Sequence, residues 1–292
     1  MLKTSRVRRR GTAKGSAAFT GGSLRRGLRV LDALADATAS RSAAEISRAC
    51  GLEASTTFRL LGALIQSGYV LKDLESKRYF ASPKALFALP LYHPLNVFRR
   101  DAERMLQGLR DELGETVGLV VYIMGERALL DLAHGRESWG PYYQTWLTNP
   151  LHGSASGKLL LMTLSREERT RLLGRGPYEP HTRYTITDPA ALDADLESSR
   201  ARGYVVARDD TYVGLTALGA PVFMPGGGLV AGLVLAGRTG EFPEARVAQT
   251  GLALKRAADL FAGNAPSVKL VGRMLGTQPA RPGSAAAAQR LG

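Results

Sequence analysis

Cysteine is almost missing from this 292-residue sequence; Cys50 is the one example. A single thiol excludes an intramolecular disulfide and any cysteine-held zinc or iron–sulfur group. A reducing cytoplasm is the natural setting. Histidine is nearly as scarce. His93, His134, His152 and His181 stand at no metal-ligand spacing from one another or from acids, so neither a metal nor a cofactor is expected. Acids are also few, 26 against 39 lysines and arginines, for a formal charge of +13. Long hydrophobic runs are lacking as well. Residues 17–20 are too short for the apolar stretch of a secretory signal, and Gly21 and Gly22 interrupt them. The longest uncharged run, 211–237, contains Pro221, Pro225 and Gly226 to Gly228. It reads as two buried strands, about 217–224 and 229–236, joined by a turn, and not as a membrane span. No membrane partner is expected.

What is present is enough to fold. Hydrophobic residues make up 45% of the chain, which excludes wholesale disorder. The charge is confined to the ends. Residues 1–26 carry eight basic residues and 264–292 carry four, with no acid in either, leaving 27 basic against 26 acidic between them. A basic arm suits an anionic polymer. The organisation read from texture is a disordered basic arm (1–22), a compact helical unit with a hairpin (23–82), a linker helix region (83–113), an α/β domain (114–262) and a disordered tail (263–292). Pro83, Pro90 and Pro94 punctuate the linker. Leu95, Phe98, Ala102, Met105, Leu106, Leu109 and Leu113 then repeat at helical spacing.

The 23–82 unit carries the chemistry. Leu24, Leu28, Leu31 and Leu34 mark one face of a first helix, with Ser23 as its N-cap. Ser42 and Glu45 have capping-box spacing for a second helix, which carries Ala44, Ile46 and Ala49 inward and ends at Gly51, a residue able to take the left-handed turn. Cys50 reads there as a small buried apolar residue. A third helix over about 55–67 has Phe58, Leu61, Leu64 and Ile65 as its apolar stripe. It offers Ser55, Thr56, Thr57 and Arg59 on the opposite face. Hydroxyls and amides at a helix start can bind phosphate, and an arginine can fork onto guanine. A strand at 69–71, a turn at 73–77 and a return at 78–80 make a wing with Lys72, Lys77 and Arg78 at its tip. Together with Arg25, Arg26 and Arg41 these form the candidate DNA-binding set. Taken singly, each charge fits a solvated surface; the ordered series is what argues for a winged helix.

The stretch 42–70, SAAEISRACGLEASTTFRLLGALIQSGYV, resembles the winged-helix core of IclR-type transcription regulators. Leu52, Ser55, Thr56, Arg59, Leu60, Leu61, Leu64, Gly68 and Tyr69 fall on that pattern. The second half is similar too. Gly114, Glu115 and Thr116 open its first strand. Residues 150–158 match the P-L-H-x-x-x-x-G-K segment, and Gly203, Tyr204 and Gly214 through Pro221 and Val222 match the stretch before the last hairpin. The resemblance spans about 23–262. It implies an α+β protein: an N-terminal winged helix-turn-helix, a linker helix and a C-terminal GAF-like α/β effector domain. It further implies a homodimer or homotetramer on a pseudo-palindromic double-stranded operator, controlling catabolic genes.

The same resemblance implies an effector held by backbone amides at Ala155 and Ser156, with side chains at Ala207, Ala217, Val234 and Ala236 completing the pocket. In many members those four include an acid or amide, a cysteine and two serines; here all are apolar. A buried polar ligand atom left without a partner costs about 1–3 kcal/mol. Such a pocket prefers an aromatic or mostly apolar small organic effector, or has lost ligand control. Asp209 and Asp210 can supply a carboxylate or lie in water. Tyr143, with Trp139, Tyr142 and Trp146, lines the pocket or fills a core. A basic residue common before Ser55 is Ala54 here, and the arm at Arg6 to Arg10 is a candidate replacement.

An enzyme or carrier domain with a basic partner-binding head is the competing reading. Gly153 to Gly157 is one residue short of a phosphate loop, and Leu159 replaces its hydroxyl. Ser154 and Ser156 both lack the flanking glycines of a nucleophile elbow. His152 therefore reads as a structural hydrogen-bonding residue, and Lys158 as an exposed or paired lysine. No catalytic residue is assigned.

Overall fold

The computed structural model describes residues 22–35, 40–86, 91–123, 125–136 and 147–275. The arm at 1–21, the tail beyond 275 and Tyr143 lie outside the described residues. The chain divides into two compact units between positions 87 and 88.

The first unit holds α1 (Ser23–Ala35), α2 (Ala43–Cys50), α3 (Ala54–Gln66), β1 (Val70–Lys72), β2 (Tyr79–Ala81) and α4 (Pro83–Leu86). The Ser42 hydroxyl accepts from the Glu45 amide and the Glu45 carboxylate accepts from the Ser42 amide, so α2 starts with the expected capping box. It stops at Gly51, whose φ of 59° is the left-handed conformation that glycine adopts without penalty. β1 and β2 pair antiparallel, and Arg41 bridges Tyr79 beside them. The core is Val30, Leu34, Ile46, Cys50, Leu60, Leu61, Val70 and Tyr79.

Three faces differ from expectation. In α1 the inward residues are Gly27, Val30 and Leu34, while Leu24 and Leu28 are exposed. Gly27 faces Leu60, and a Cβ on it would lie 3.9 Å from that side chain, at ordinary van der Waals distance. In α3 the inward residues are Thr57, Leu60 and Leu61; Phe58 and Ile65 are exposed. In α2, Ala44 is exposed and Ala43 packs against the core.

The second unit starts with α5 (Pro94–Leu113), capped by the His93 ring and ended by Gly114. Leu95, Phe98, Ala102, Leu106 and Leu109 are buried in the core of this unit. The helix expected as a linker is thus an integral part of the second fold. After it come β3 (Thr116–Ile123), β4 (Glu126–Ala133), α6 (Ala155–Leu161), α7 (Arg166–Leu173), α8 (Pro189–Arg202), β5 (Val205–Arg208), β6 (Leu215–Phe223), β7 (Leu229–Arg238), α9 (Glu244–Asn264) and α10 (Pro266–Leu275). The strands form one antiparallel sheet in the order β4-β3-β7-β6-β5.

Both faces of this sheet are covered, which is why β3 reads as one apolar run and does not alternate with polar residues. Val117, Leu119 and Val121 face α5, α9 and α10. Val120 and Tyr122 face α6 and α8. The tail expected to be disordered from 263 needs correction as far as 275: α9 runs through Asn264 and α10 follows at 266–275. α10 buries Val268 and Val271. The molecule is a mixed α/β protein with an N-terminal helix-turn-helix unit and a C-terminal α/β unit.

Candidate functional site

The candidate DNA-reading face is built on α3. Ser55 and Arg59 are exposed and Thr56 is half-buried, four residues or fewer apart on one side of the helix. No side chain caps this helix start, since Glu53 makes no capping bond, so its first amides remain available to an anion. Arg25 and Arg26 are exposed on α1, and Lys72 and Lys77 on the hairpin; Arg41 is half-buried.

Two residues of the set do other work. Thr57 is fully buried and its hydroxyl donates to the Glu53 carbonyl at 3.1 Å, so it packs the core and does not face a duplex. Arg78 is not at the wing tip: it donates to the Glu45 carboxylate at 2.8 Å and to the Ser40 carbonyl at 2.6 Å. It ties the returning strand to the start of α2. Glu45 is thereby held below the usual carboxylate range, first by the Ser42 amide and then by Arg78.

In the second unit Ala155, Ser156, Ala207, Asp210, Ala217, Val234 and Ala236 line one cavity of about 60 Å³, with Leu147, Asn149, Tyr212 and Leu215. Register explains the grouping. Ala207 pairs with Ala217, and Ala217 with Ala236, across three neighbouring strands. Ala155 and Ser156 open α6, in the turn whose amides have no helical carbonyl. Asp209 is not part of the lining. Its carboxylate accepts from the Gly214 amide at 2.6 Å and the Thr239 hydroxyl at 2.7 Å, which fixes the loop after β5.

Beneath the cavity lies a charged interior. Lys158 is 1% exposed. Its ammonium lies 2.6 Å from Asp210 and 3.0 Å from Asp195, and donates to the Val206 carbonyl at 3.0 Å. Burial pushes the Asp210 carboxyl above its usual range, against the pull of Lys158. The His152 ring shares a hydrogen bond with the Glu179 carbonyl at 3.0 Å, and burial lowers its pKa, which keeps it neutral at pH 7. Gly157 of the same segment is there for space: a Cβ on it would lie 2.2 Å from the Leu151 carbonyl oxygen.

The residue that sequence reasoning missed is Arg127. It is 5% exposed, and its guanidinium donates to Ser154 Oγ at 2.8 Å, Ser156 Oγ at 3.0 Å, the Leu147 carbonyl at 3.1 Å and the Asn149 carbonyl. Burial lowers its pKa to about 10, so it stays charged at neutral pH. Its register partner is Tyr122, which faces α6; that alternation was the one available signal. Among the described residues no group of three or more His, Cys, Asp or Glu side chains is placed to hold a metal. Among them, too, no helix is long and apolar enough to cross a membrane.

Comparison with known proteins agrees with this geometry. Residues 23–74 match the IclR helix-turn-helix domain, and residues 92–261 match the bacterial transcriptional regulator IclR C-terminal domain. The HTH-type transcriptional regulator BhcR of Paracoccus denitrificans is 28% identical over 268 residues, 89% of this chain and 96% of its own. The transcriptional repressor IclR of Escherichia coli is 29% identical over 238 residues, 81% of this chain and 87% of its own. Among solved structures, an IclR homolog of Microbacterium hydrocarbonoxydans complexed with 4-hydroxybenzoate shares the fold. Its TM-score is 0.67 at 22% identity, covering 87% of this chain and 100% of that one. The first two relatives are named as transcription regulators. With a DNA-binding helix-turn-helix unit and an effector-binding domain, the chain belongs to the IclR family of bacterial transcription regulators.

Proposed function

We propose that this regulator is a cytoplasmic homodimer or homotetramer that binds a pseudo-palindromic operator and releases or grips it in response to a small organic effector. Ser55, Thr56 and Arg59 read the major groove, while Lys72, Lys77, Arg25 and Arg26 hold phosphates. Half-sites then lie about 10 base pairs, or a multiple, apart. The effector occupies the cavity between α6 and the strands, and catabolic genes are the targets. It shifts control only by binding one arrangement of the reading heads better than the other.

The observation that carries the effector reading is the lining. Ala207, Ala217, Val234 and Ala236 offer carbon to a ligand, and so favour an aromatic or mostly apolar body. The related Microbacterium protein holds 4-hydroxybenzoate. No turnover enters this reading: His152 is engaged with the Glu179 carbonyl and Lys158 with two carboxylates. A gel shift with genomic fragments, with and without aromatic acids, tests it. Retention of one fragment at fixed salt, altered by a ligand, is the expected result. Absence of any fragment-specific retention removes the operator reading.

A further inference from the structure

Phe58 belongs to the apolar stripe expected to face inward, yet 57% of it is exposed and the core of the first unit closes without it. Ser55, Phe58, Arg59 and Gly62 follow at helical spacing and share one exposed face of α3. A single exposed ring is common on proteins and decides nothing alone.

Two features around it decide more. The first is Gly62, in the second half of α3, where glycine disfavours a helix relative to alanine. Nothing inside the protein asks for it: a Cβ there would meet no atom within 4 Å. The room it leaves lies outside, one turn along from Phe58, so another body can come close to the helix backbone. The second feature is charge. Arg59 is the one charged residue of α3, and no side chain caps its first amides. Arg25, Arg26, Lys72 and Lys77 are exposed on the same unit. A second copy of this chain, at a formal +13, is a poor match for those cations, whereas a duplex suits them.

In a major groove an aromatic hydrocarbon has one group to read. Phenylalanine neither donates nor accepts a hydrogen bond, and the 5-methyl of thymine is the apolar group that stands on a base edge there. We propose that Phe58 is a specificity-determining residue that selects thymine in the operator by packing on its 5-methyl group, with Gly62 giving the clearance this approach needs. Ser55, Thr56 and Arg59 make the polar contacts at neighbouring base pairs. The inference rests on α3 being the reading helix.

The test uses the full chain. Selection from a randomised duplex library at fixed salt defines a bound site. Each thymine of that site is then replaced singly by deoxyuridine, which lacks only the methyl. Fluorescence anisotropy is expected to find one thymine per half-site whose replacement weakens wild-type binding about fourfold, as one buried methyl group does. Phe58→Ala is expected to bind the thymine site at least that much more weakly, and to be indifferent to deoxyuridine at that position alone. Phe58→Leu, still apolar, keeps part of the discrimination. Because Phe58 is exposed, both variants should melt with the wild type, so their weaker binding reports a lost contact and not lost folding. Gly62→Ala is expected to melt higher and bind more weakly. Phe58→Ala binding as tightly as wild type overturns the inference. So does a site in which no deoxyuridine weakens the wild type, a deoxyuridine effect that survives in Phe58→Ala at every position, or full affinity in Gly62→Ala. In each of these cases a selected site that Arg59→Ala weakens leaves α3 as the reading helix. A library that yields no enriched site overturns the operator reading and this inference with it.

Discussion

Lys158 places its ammonium 2.6 Å from the Asp210 carboxylate, at the point where α6 meets the loop after β5. Asp195 of α8 completes the group at 3.0 Å. One buried lysine therefore joins three segments around the floor of the cavity. Such a group confers little net stability over a well-packed apolar substitute, yet breaking it is expensive, because the remaining charges stay in the interior.

Lys158→Met is expected to lower folding stability by about 3–5 kcal/mol at pH 7, measured by urea denaturation. The pH dependence has a definite sign. Asp210 is already pushed up by burial, and losing Lys158 pushes it further in the same direction. A carboxyl whose folded pKa exceeds its unfolded value takes up its proton first in the native state, so stability rises as pH falls through that folded pKa. The deficit of the variant should narrow as pH falls from 7 toward the raised Asp210 pKa. A deficit that is constant over that range means the two acids do not face each other unshielded.

Arg59→Ala and Thr57→Val separate reading from packing on one helix. Arg59 is exposed, so its loss should leave the melting temperature unchanged and cost about 1–3 kcal/mol on the operator if it contacts a base. Thr57 is buried and bonded to the Glu53 carbonyl, so Thr57→Val should move stability by about 1 kcal/mol and leave operator affinity alone. Calorimetric melting and a salt-controlled binding titration on both variants check the pair. Equal operator affinity for Arg59→Ala and wild type would take Arg59 out of the base-reading face.

Much of this was legible in the residues, and the exceptions have a common cause. The capping box of Ser42 and Glu45, the turn at Gly51 and the two strands of the last hairpin are local, and local chemistry determines them. The faces of α1 and α3 are not. Leu24, Leu28, Leu31 and Leu34 make as good a stripe as Gly27, Val30 and Leu34, and the choice between them is made by the neighbouring helix. Arg127 was hidden for the same reason. On an edge strand, beside Glu126, it reads as a solvated charge; only the register with Tyr122 turns it inward. The cavity lining was reachable through likeness to a family, but the cation beneath it was not.

Gly157→Ala tests whether the segment at 150–158 is held by close approach. The added Cβ would sit 2.2 Å from the Leu151 carbonyl oxygen, so backbone must move. Overpacking of this kind costs about 1–3 kcal/mol or more. Because Ala155 and Ser156 lie in the same turn, the displaced floor should also weaken any ligand that stabilises the wild-type protein. Denaturant melts with and without that ligand measure both effects. Unchanged stability would show that the chain relaxes there without strain.

Truncation distinguishes the helix at the end of the described fold from the residues that follow it. Val268 and Val271 of α10 are fully buried, and the Ser267 hydroxyl donates to the Asp101 carboxylate of α5 at 2.5 Å. Gly272 lies so close to Met224 that a Cβ there would come within 2.7 Å of its sulfur. Ending the chain after residue 275 keeps all of these contacts. Ending it after residue 265 exposes the apolar surface that α10 covers on α5 and β7. Burial of two valines alone is worth on the order of 3 kcal/mol, so the shorter chain should be destabilised by at least that much. Urea melts of the two truncations make the comparison directly. If both unfold at the same concentration as the full chain, α10 is an attachment and not part of the second core.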